Sequence, residues 1–330
     1  MTWSQRTPIS TYVLGALFGA VGMLILAVPV SGHAATVTVT DCTTAGPVEV
    51  QGRRTVLDVR PDDLVLQCAL APLGKSQRIQ VRANNITIDG PLGRIDSSFK
   101  GRAVDIRADG HITLTMATIE ATNSNGRVRL VSETGFTILG SIIKVGGLKP
   151  GRELRLECNG AGCGMNLCQS TIEAQRIRVV VDGDIIADGA VVRTRSPRDR
   201  IHLESRNGDI IFCGGQIIGD VEGRMTIEAC GEIDLSGVEL AIGRNIIIDS
   251  GLCGAGDILL VGASVRNDFG KRGEIEITAA GGAGQVDITD ATLIDDDRSA
   301  NKNDVSEING REQLPHEGHN NTVGTPSTDS

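Results

Sequence analysis

Apolar and polar residues alternate in short runs along this chain, and the pattern recurs about every 24 residues. In each repeat two apolar residues one position apart come first, as in Ile201 and Leu203. Alternation of this kind predicts a β-strand with one buried face. Each repeat opens with an arginine, and the apolar pair follows within a few residues. The opening residues are Arg78, Arg102, Arg127, Arg152, Arg176, Arg200, Arg224, Arg244 and Arg272.

Each repeat continues with a second and a third apolar element. A turn leads to a second pair such as Ile210 and Phe212, and another turn, often with glycine, precedes a segment such as "AVVRT" or "ASVRN". Three short strands form one coil, and stacked coils place equivalent side chains about 4.8 Å apart in ladders. We therefore predict an all-β fold, a parallel β-helix (solenoid) of about nine coils over residues 78–297. Parallel crossovers favour the right-handed form.

The composition fits a narrow aliphatic interior. Aromatic residues make up 2% of the chain, and Trp3, Tyr12 and Phe18 lie in its first thirty residues. A globular core usually draws much of its buried area from aromatic side chains. Ladders of Ile, Val and Leu explain how this chain forms a core with so few. The other aromatic residues are Phe99, Phe136, Phe212 and Phe269.

The two ends of the chain differ from the repeats. An apolar run over residues 12–30, followed by "SGHAA", predicts a signal peptide over 1–34 and a secreted, periplasmic or cell-surface protein. An uncleaved anchor is the alternative, because a run of this length nearly spans a bilayer. Residues 35–77 are predicted to cap the exposed first strands. Residues 298–330 are polar and aperiodic, which predicts a disordered tail.

Eight cysteines follow the predicted signal peptide. An even number in an exported chain favours disulfides. Cys168 and Cys213 take equivalent positions two coils apart, too far for a direct bond. Pairing of Cys163 with Cys168 stays open as an alternative. The favoured pairs are Cys42 with Cys68, Cys230 with Cys253, and Cys158 with Cys163.

The repeats also resemble a known class of proteins. The segments "GDIIADGAVVRT", "GDIIFCGGQII" and "GDILLVGASVRND" look like the coils of bacterial secreted β-helix proteins of the filamentous-haemagglutinin type. The resemblance covers residues 78–297 and lies in the order of turn and strand residues within each coil, which is a likeness of fold. It implies a structural or adhesin-like role at a surface.

An acidic residue follows a glycine at the start of the second strand in four successive coils. Stacking predicts that Asp184, Asp209, Glu232 and Asp257 form one column. Carboxylate oxygens in a row could bind cations such as calcium. A solvated turn is the favoured interpretation, because repulsion between exposed charges one coil apart is below about 1 kcal/mol before screening. No cofactor is therefore predicted, with calcium as the alternative.

Basic residues cluster in the segment "RTRSPRDR". Arg193, Arg195, Arg198 and Arg200 could form an anion-binding loop, although a solvated loop is the favoured interpretation. The net charge of −9 argues against a nucleic-acid partner, which requires a basic footprint. No membrane contact is expected once the signal peptide is removed.

These features predict a non-catalytic exported scaffold or surface-interaction module. Its expected partner is a cell-surface or extracellular polymer or protein. The alternative is a polysaccharide-binding or polysaccharide-degrading enzyme, since glycoside hydrolysis needs two carboxylates and Asp182, Asp184, Asp188 and Asp209 could supply them. Few aromatic residues and short turns argue against a sugar-binding cleft, so no catalytic residue is predicted.

Overall fold

The computed structural model describes residues 34–42, 47–73, 77–97, 103–121, 126–146, 153–194, 199–220, 222–267, 274–280, 284–295, 307–308 and 311–312. The predicted signal peptide, apart from Ala34, lies outside the described residues, as do Arg195 and Arg198 of the basic loop. No helix in the described part is long and apolar enough to cross a membrane.

The first half of the described chain forms short strands in quick succession. They are β1 (Thr36–Val39), β2 (Val48–Gln51), β3 (Arg54–Asp58), β4 (Asp63–Leu66), β5 (Ala69–Leu70), β6 (Arg78–Ala83), β7 (Ile86–Asp89), β8 (Arg94–Asp96), β9 (Ala103–Ala108), β10 (His111–Thr115), β11 (Thr118–Ala121), β12 (Arg127–Ser132), β13 (Gly135–Leu139), β14 (Ile142–Val145), β15 (Glu153–Cys158), β16 (Gly164–Asn166) and β17 (Thr171–Glu173).

The second half continues the same sequence of strands. They are β18 (Arg176–Val181), β19 (Ile185–Ile186), β20 (Val191–Arg193), β21 (Arg200–Ser205), β22 (Ile210–Ile211), β23 (Gln216–Ile218), β24 (Arg224–Ala229), β25 (Ile233–Asp234), β26 (Glu239–Ala241), β27 (Ile246–Ser250), β28 (Ile258–Leu259), β29 (Ser264–Asn267), β30 (Ile275–Ala279), β31 (Val286–Asp287), β32 (Thr292–Asp295), β33 (Glu307–Ile308) and β34 (Arg311–Glu312).

Every third strand belongs to the same sheet, so the chain winds as a solenoid. Sheet A has 11 strands, from β1 and β4 to β31; sheet B has 13, from β2 and β3 to β34; sheet C has 10, from β5 to β32. Nearly all neighbours pair in parallel, and the antiparallel exceptions, β2 with β3 and β33 with β34, lie at the two ends of sheet B. The predicted parallel β-helix is confirmed.

Ladders of buried side chains fill the interior of the solenoid. In sheet A, Ile112 stacks on Phe136, Phe136 on Met165 and Met165 on Ile185. Ile210, Ile233 and Ile258 continue this ladder, and all of its members are at most 2% exposed. The predicted strand register is thus confirmed, and Phe136 and Phe212 are both inside.

In each coil from the second onward, one residue with a left-handed backbone conformation (positive φ) lies at the turn between sheets A and C. Three of the positions in this column carry a side chain despite the cost of that conformation, namely Met116 (φ 53°), Gln169 (φ 53°) and Asp290 (φ 54°). Glycine fills the other positions at little cost, which explains the glycines that recur at the second turn. The column consists of Gly90, Met116, Gly140, Gln169, Gly189, Gly214, Gly237, Gly262 and Asp290.

The predicted capping segment contains a complete first coil. β3, β4 and β5 pair in parallel with β6, β7 and β8, so stacking starts before residue 78. β2 then covers the free edge of β3 as an antiparallel strand. At the other end, β33 and β34 lie within the segment predicted as a disordered tail.

Three disulfides reinforce the stack, and they are the three pairs favoured above: Cys42–Cys68, Cys158–Cys163 and Cys230–Cys253. The first ties the segment after β1 to the first coil, and the third links adjacent coils with a Cα–Cα distance of 4.9 Å. Cys168 and Cys213 are free thiols. Asp188 stands between them in the stack, because Gln169 bonds to Asp188 and Gly189 bonds to Cys213 through the backbone.

Candidate functional site: two charged columns

The four predicted acids form a column at the corner where the chain enters sheet A. Each stands one position before a residue of the stacked ladder Ile185, Ile210, Ile233 and Ile258. We call Asp184, Asp209, Glu232 and Asp257 the acid column. The side chains of Asp184, Glu232 and Asp257 are exposed, and that of Asp209 is half-buried.

Carboxylates of the acid column bind the backbone of the next coil. Oδ1 of Asp184 accepts the N–H of Asp209 (2.9 Å), and Oδ1 of Asp209 accepts the N–H of Glu232 (2.8 Å). Oδ1 of Asp257 accepts the N–H of Gln285 (2.8 Å). The predicted solvated turn is therefore incomplete as a description of the acid column. Its aspartates connect successive coils by accepting backbone hydrogen bonds.

The glycine before the acid in this phrase is required by the same close approach. A Cβ on Gly208 would clash with Oδ1 of Asp184 and lie 2.6 Å from the carbonyl carbon of Gly183 and 2.7 Å from the nitrogen of Asp184. A Cβ on Gly231 would likewise strike the carboxylate of Asp209. The glycine and the aspartate thus act together. The glycine allows two coils to approach closely, and the aspartate of one coil binds the backbone of the next.

The same kind of side-chain-to-backbone bond between coils starts nearer the N-terminus than the four predicted acids. Oδ1 of Asp63 accepts the N–H of Asn85 (3.0 Å), and Oδ1 of Asn85 accepts the N–H of His111 (2.7 Å). Burial lowers the pKa of His111. Asp63 and Asn85 stand directly before the apolar residues Leu64 and Ile86, which is the signal that could have identified them.

Glu232 differs from the aspartates of the acid column. Its longer side chain makes no hydrogen bond to another described residue, whereas the N–H of Glu232 is held by Asp209. Burial and the charges of Asp209, Asp234 and Asp257 raise the pKa of Glu232. Burial and the neighbouring acids thus both disfavour the ionised form of Glu232.

Most acids considered for hydrolysis are engaged in the same way. Oδ2 of Asp182 accepts the N–H of Gly162 (2.7 Å), and Oδ1 of Asp182 accepts from Nδ2 of Asn207 (2.7 Å). Asp184 and Asp209 belong to the acid column, and Asp188 is exposed. In the described part of the chain, no three His, Cys, Asp or Glu side chains converge as metal ligands would.

A second set of charges lies on the outer face of sheet B, and many of its arginines are paired with acids. Arg129 contacts Glu157 (2.6 Å), and Arg155 contacts the same carboxylate. Burial opposes the charge of Glu157, but the bonds from the two arginines prevail and lower its pKa. Two coils beyond Glu157, Arg178 and Arg206 pair with Glu204.

The first outward position of the sheet B strands carries a second group of arginines, which differ from those paired with Glu157 and Glu204. Arg176, Arg200 and Arg224 stack in direct register, one per coil. Their side chains are exposed, and none forms an ion pair with another described residue. We call the arginines at this position the arginine column, which comprises Arg54, Arg78, Arg127, Arg176, Arg200 and Arg224.

The arginine column is interrupted but keeps one sign over most of its length. Ala103 separates Arg78 from Arg127, and Glu153 stands between Arg127 and Arg176. At the N-terminal end a cavity of about 330 Å³ is lined by Arg53, Arg54, Gln77 and Arg78. Three of the four described residues that line this cavity are arginines.

The predicted anion-binding loop is divided by the structure. Arg193 lies at the end of β20 in sheet C, whereas Arg200 opens β21 in sheet B. Arg195 and Arg198 lie between them, outside the described residues. Arg200 was predicted as part of a loop, but it lies in a strand and its register partners are Arg176 and Arg224.

These features define the chain as an all-β parallel solenoid, stapled by disulfides and bearing two charged columns of opposite sign. No family model matches the chain, and neither a curated protein nor a solved structure matches it.

Proposed function

We propose that the protein is a non-catalytic, exported β-solenoid that presents its long sides as a contact surface, in the manner of an adhesin. The observation that carries this proposal is the state of the corner acids. Asp182, Asp184 and Asp209 each accept backbone N–H bonds from neighbouring coils. A carboxylate used in this way is a poor proton donor or nucleophile, since attack would break the bond that joins two coils.

Export is supported by two independent features. The apolar N-terminal run followed by small residues is typical of a signal peptide. Three disulfides favour an oxidising compartment, because cytosolic thiols are kept reduced. A rigid stack stabilised in this way is suited to an extracellular or cell-surface environment.

The test is an assay for cleavage. The purified, oxidised protein is incubated with a panel of acidic and neutral polysaccharides, and new reducing ends and polymer length are measured. We expect no change in either quantity. Cleavage that Asp184→Asn abolishes would overturn the proposal and establish the enzyme instead.

A further inference from the structure

We propose that the arginine column binds a linear acidic polysaccharide, a polymer that carries carboxylate or sulfate groups along its length. This inference rests on the proposed role as a contact module and names the partner class and the surface. It starts from the contrast between two populations of arginine on one face of sheet B. Those paired with Glu157 and Glu204 complete the fold, whereas the arginine column completes nothing in the described part.

The spacing of the column fits a polymer that runs along the solenoid axis. Arg176, Arg200 and Arg224 repeat once per coil, which is about 4.8 Å between neighbouring strands. An extended polysaccharide presents its sugar units at a comparable interval, so successive acidic groups can meet successive guanidinium groups. Three aligned contacts would act together, although each exposed pair alone is weak.

The chemistry of the side chain supports an oxyanion ligand. Guanidinium is planar, stays charged and can donate two parallel hydrogen bonds to one carboxylate or sulfate group. Like charges stacked at this distance repel each other in the free protein, and a bound polyanion removes that repulsion. Relief of this repulsion between stacked arginines therefore favours the bound state.

The cavity at the N-terminal end provides a second point of attachment on the same line. Arg54 and Arg78 belong to the arginine column, and Arg53 and Gln77 complete the lining. Arg54 and Arg78 are register partners in adjacent coils. Three arginine side chains around one concavity add positive charge at this end of the column, where the polymer can be held at a further point.

Nucleic acid is the competing polyanion, and the surface is poorly suited to it. Proteins that bind single strands add stacking on aromatic side chains to their basic groove. Phe136 and Phe212, the aromatic residues in the described part, are both buried.

The experiment compares two charge-matched double variants of the oxidised full protein without its signal peptide. Arg200→Gln/Arg224→Gln removes two charges from the arginine column, and Lys144→Gln/Arg266→Gln removes two from the outer face of sheet C. Binding to heparin, to polygalacturonate and to a single-stranded DNA is measured at several salt concentrations. Melting temperatures establish that both variants are folded.

We expect the wild type to bind both polysaccharides, with affinity that falls as salt rises. The sheet B variant should lose affinity at least about tenfold, and the sheet C variant should stay within about twofold. Equal losses in the two variants, or DNA binding as tight as polysaccharide binding, would overturn the inference. Absence of polysaccharide binding would also overturn it but would leave the non-catalytic contact module intact, because that proposal fails only on cleavage.

Discussion

The acid column and the arginine column both repeat along the solenoid, yet they relate differently to the fold. Asp184 and Asp209 bind the backbone of the next coil, so their charges are used inside the structure. Arg200 and Arg224 are exposed and make no ion pair within the described residues. A repeated charged residue thus indicates a ligand surface only when its hydrogen bonds are not already made by neighbouring coils.

The glycine of the acid column should be the most sensitive position. Gly208→Ala places a Cβ within 2.6–2.7 Å of backbone atoms of Gly183 and Asp184, so two coils must separate. We expect a loss of about 3 kcal/mol in the free energy of unfolding, measured by chemical denaturation. Gly237→Ala is the matched control.

Gly237 has a left-handed conformation (φ 67°), but a Cβ there would have 3.9 Å of clearance. Its substitution should therefore cost only about 1 kcal/mol, the price of that conformation. Equal losses at the two glycines would show that close approach of the coils does not set the role of Gly208.

Removal of one carboxylate should have the next largest effect. Asp209→Ala takes away the acceptor for the N–H of Glu232 and should lower the free energy of unfolding by about 1 kcal/mol. Asp209→Asn keeps an acceptor oxygen and removes a charge near Glu232, so it should stay within about 0.5 kcal/mol of the wild type. A larger loss for the asparagine than for the alanine variant would contradict the stapling role.

The sequence alone was sufficient for the ladders, because the apolar pairs carry the register of every coil. It placed Asp184, Asp209, Glu232 and Asp257 in one column for the same reason. Their role could not be predicted, since the contact joins a side chain to a backbone N–H some 23–28 residues away and depends on how closely the coils approach. The arginine column was only partly recognisable, because Arg176, Arg200 and Arg224 directly precede the first apolar residue of their repeats, whereas Arg102 and Arg152 stand one position earlier.

Glu232 should show a small effect that depends on pH. Its pKa is raised in the folded protein above the usual value of 4.5, so the folded state binds the proton more tightly than the unfolded state. The wild type therefore loses stability as pH rises from about the usual value through the folded value, and Glu232→Gln does not. We expect the variant to be more stable by about 0.5 kcal/mol or less at pH 7 and equal to the wild type at lower pH.

Denaturation curves recorded at several pH values measure this difference. A variant that is less stable than the wild type at pH 7 would mean that the ionised Glu232 is held by an attraction rather than strained by its acidic neighbours.

Calcium should have the smallest effect of all. Asp184, Asp209 and Asp257 already accept backbone N–H groups, and a cation would have to compete with those bonds. We expect millimolar calcium to shift the melting temperature by less than about 1 °C. A rise of several degrees that Asp209→Asn abolishes would instead support the cation ladder.

The most direct test of the division between the columns is a crossed measurement of melting temperature and polysaccharide affinity. It compares Asp184→Ala/Asp209→Ala with Arg200→Gln/Arg224→Gln, each at a temperature where the protein is folded. We predict that the acid variant melts several degrees lower and binds heparin as well as the wild type, whereas the arginine variant melts normally and binds at least about tenfold more weakly. An acid variant that melts normally, or an arginine variant that binds normally, would contradict the account.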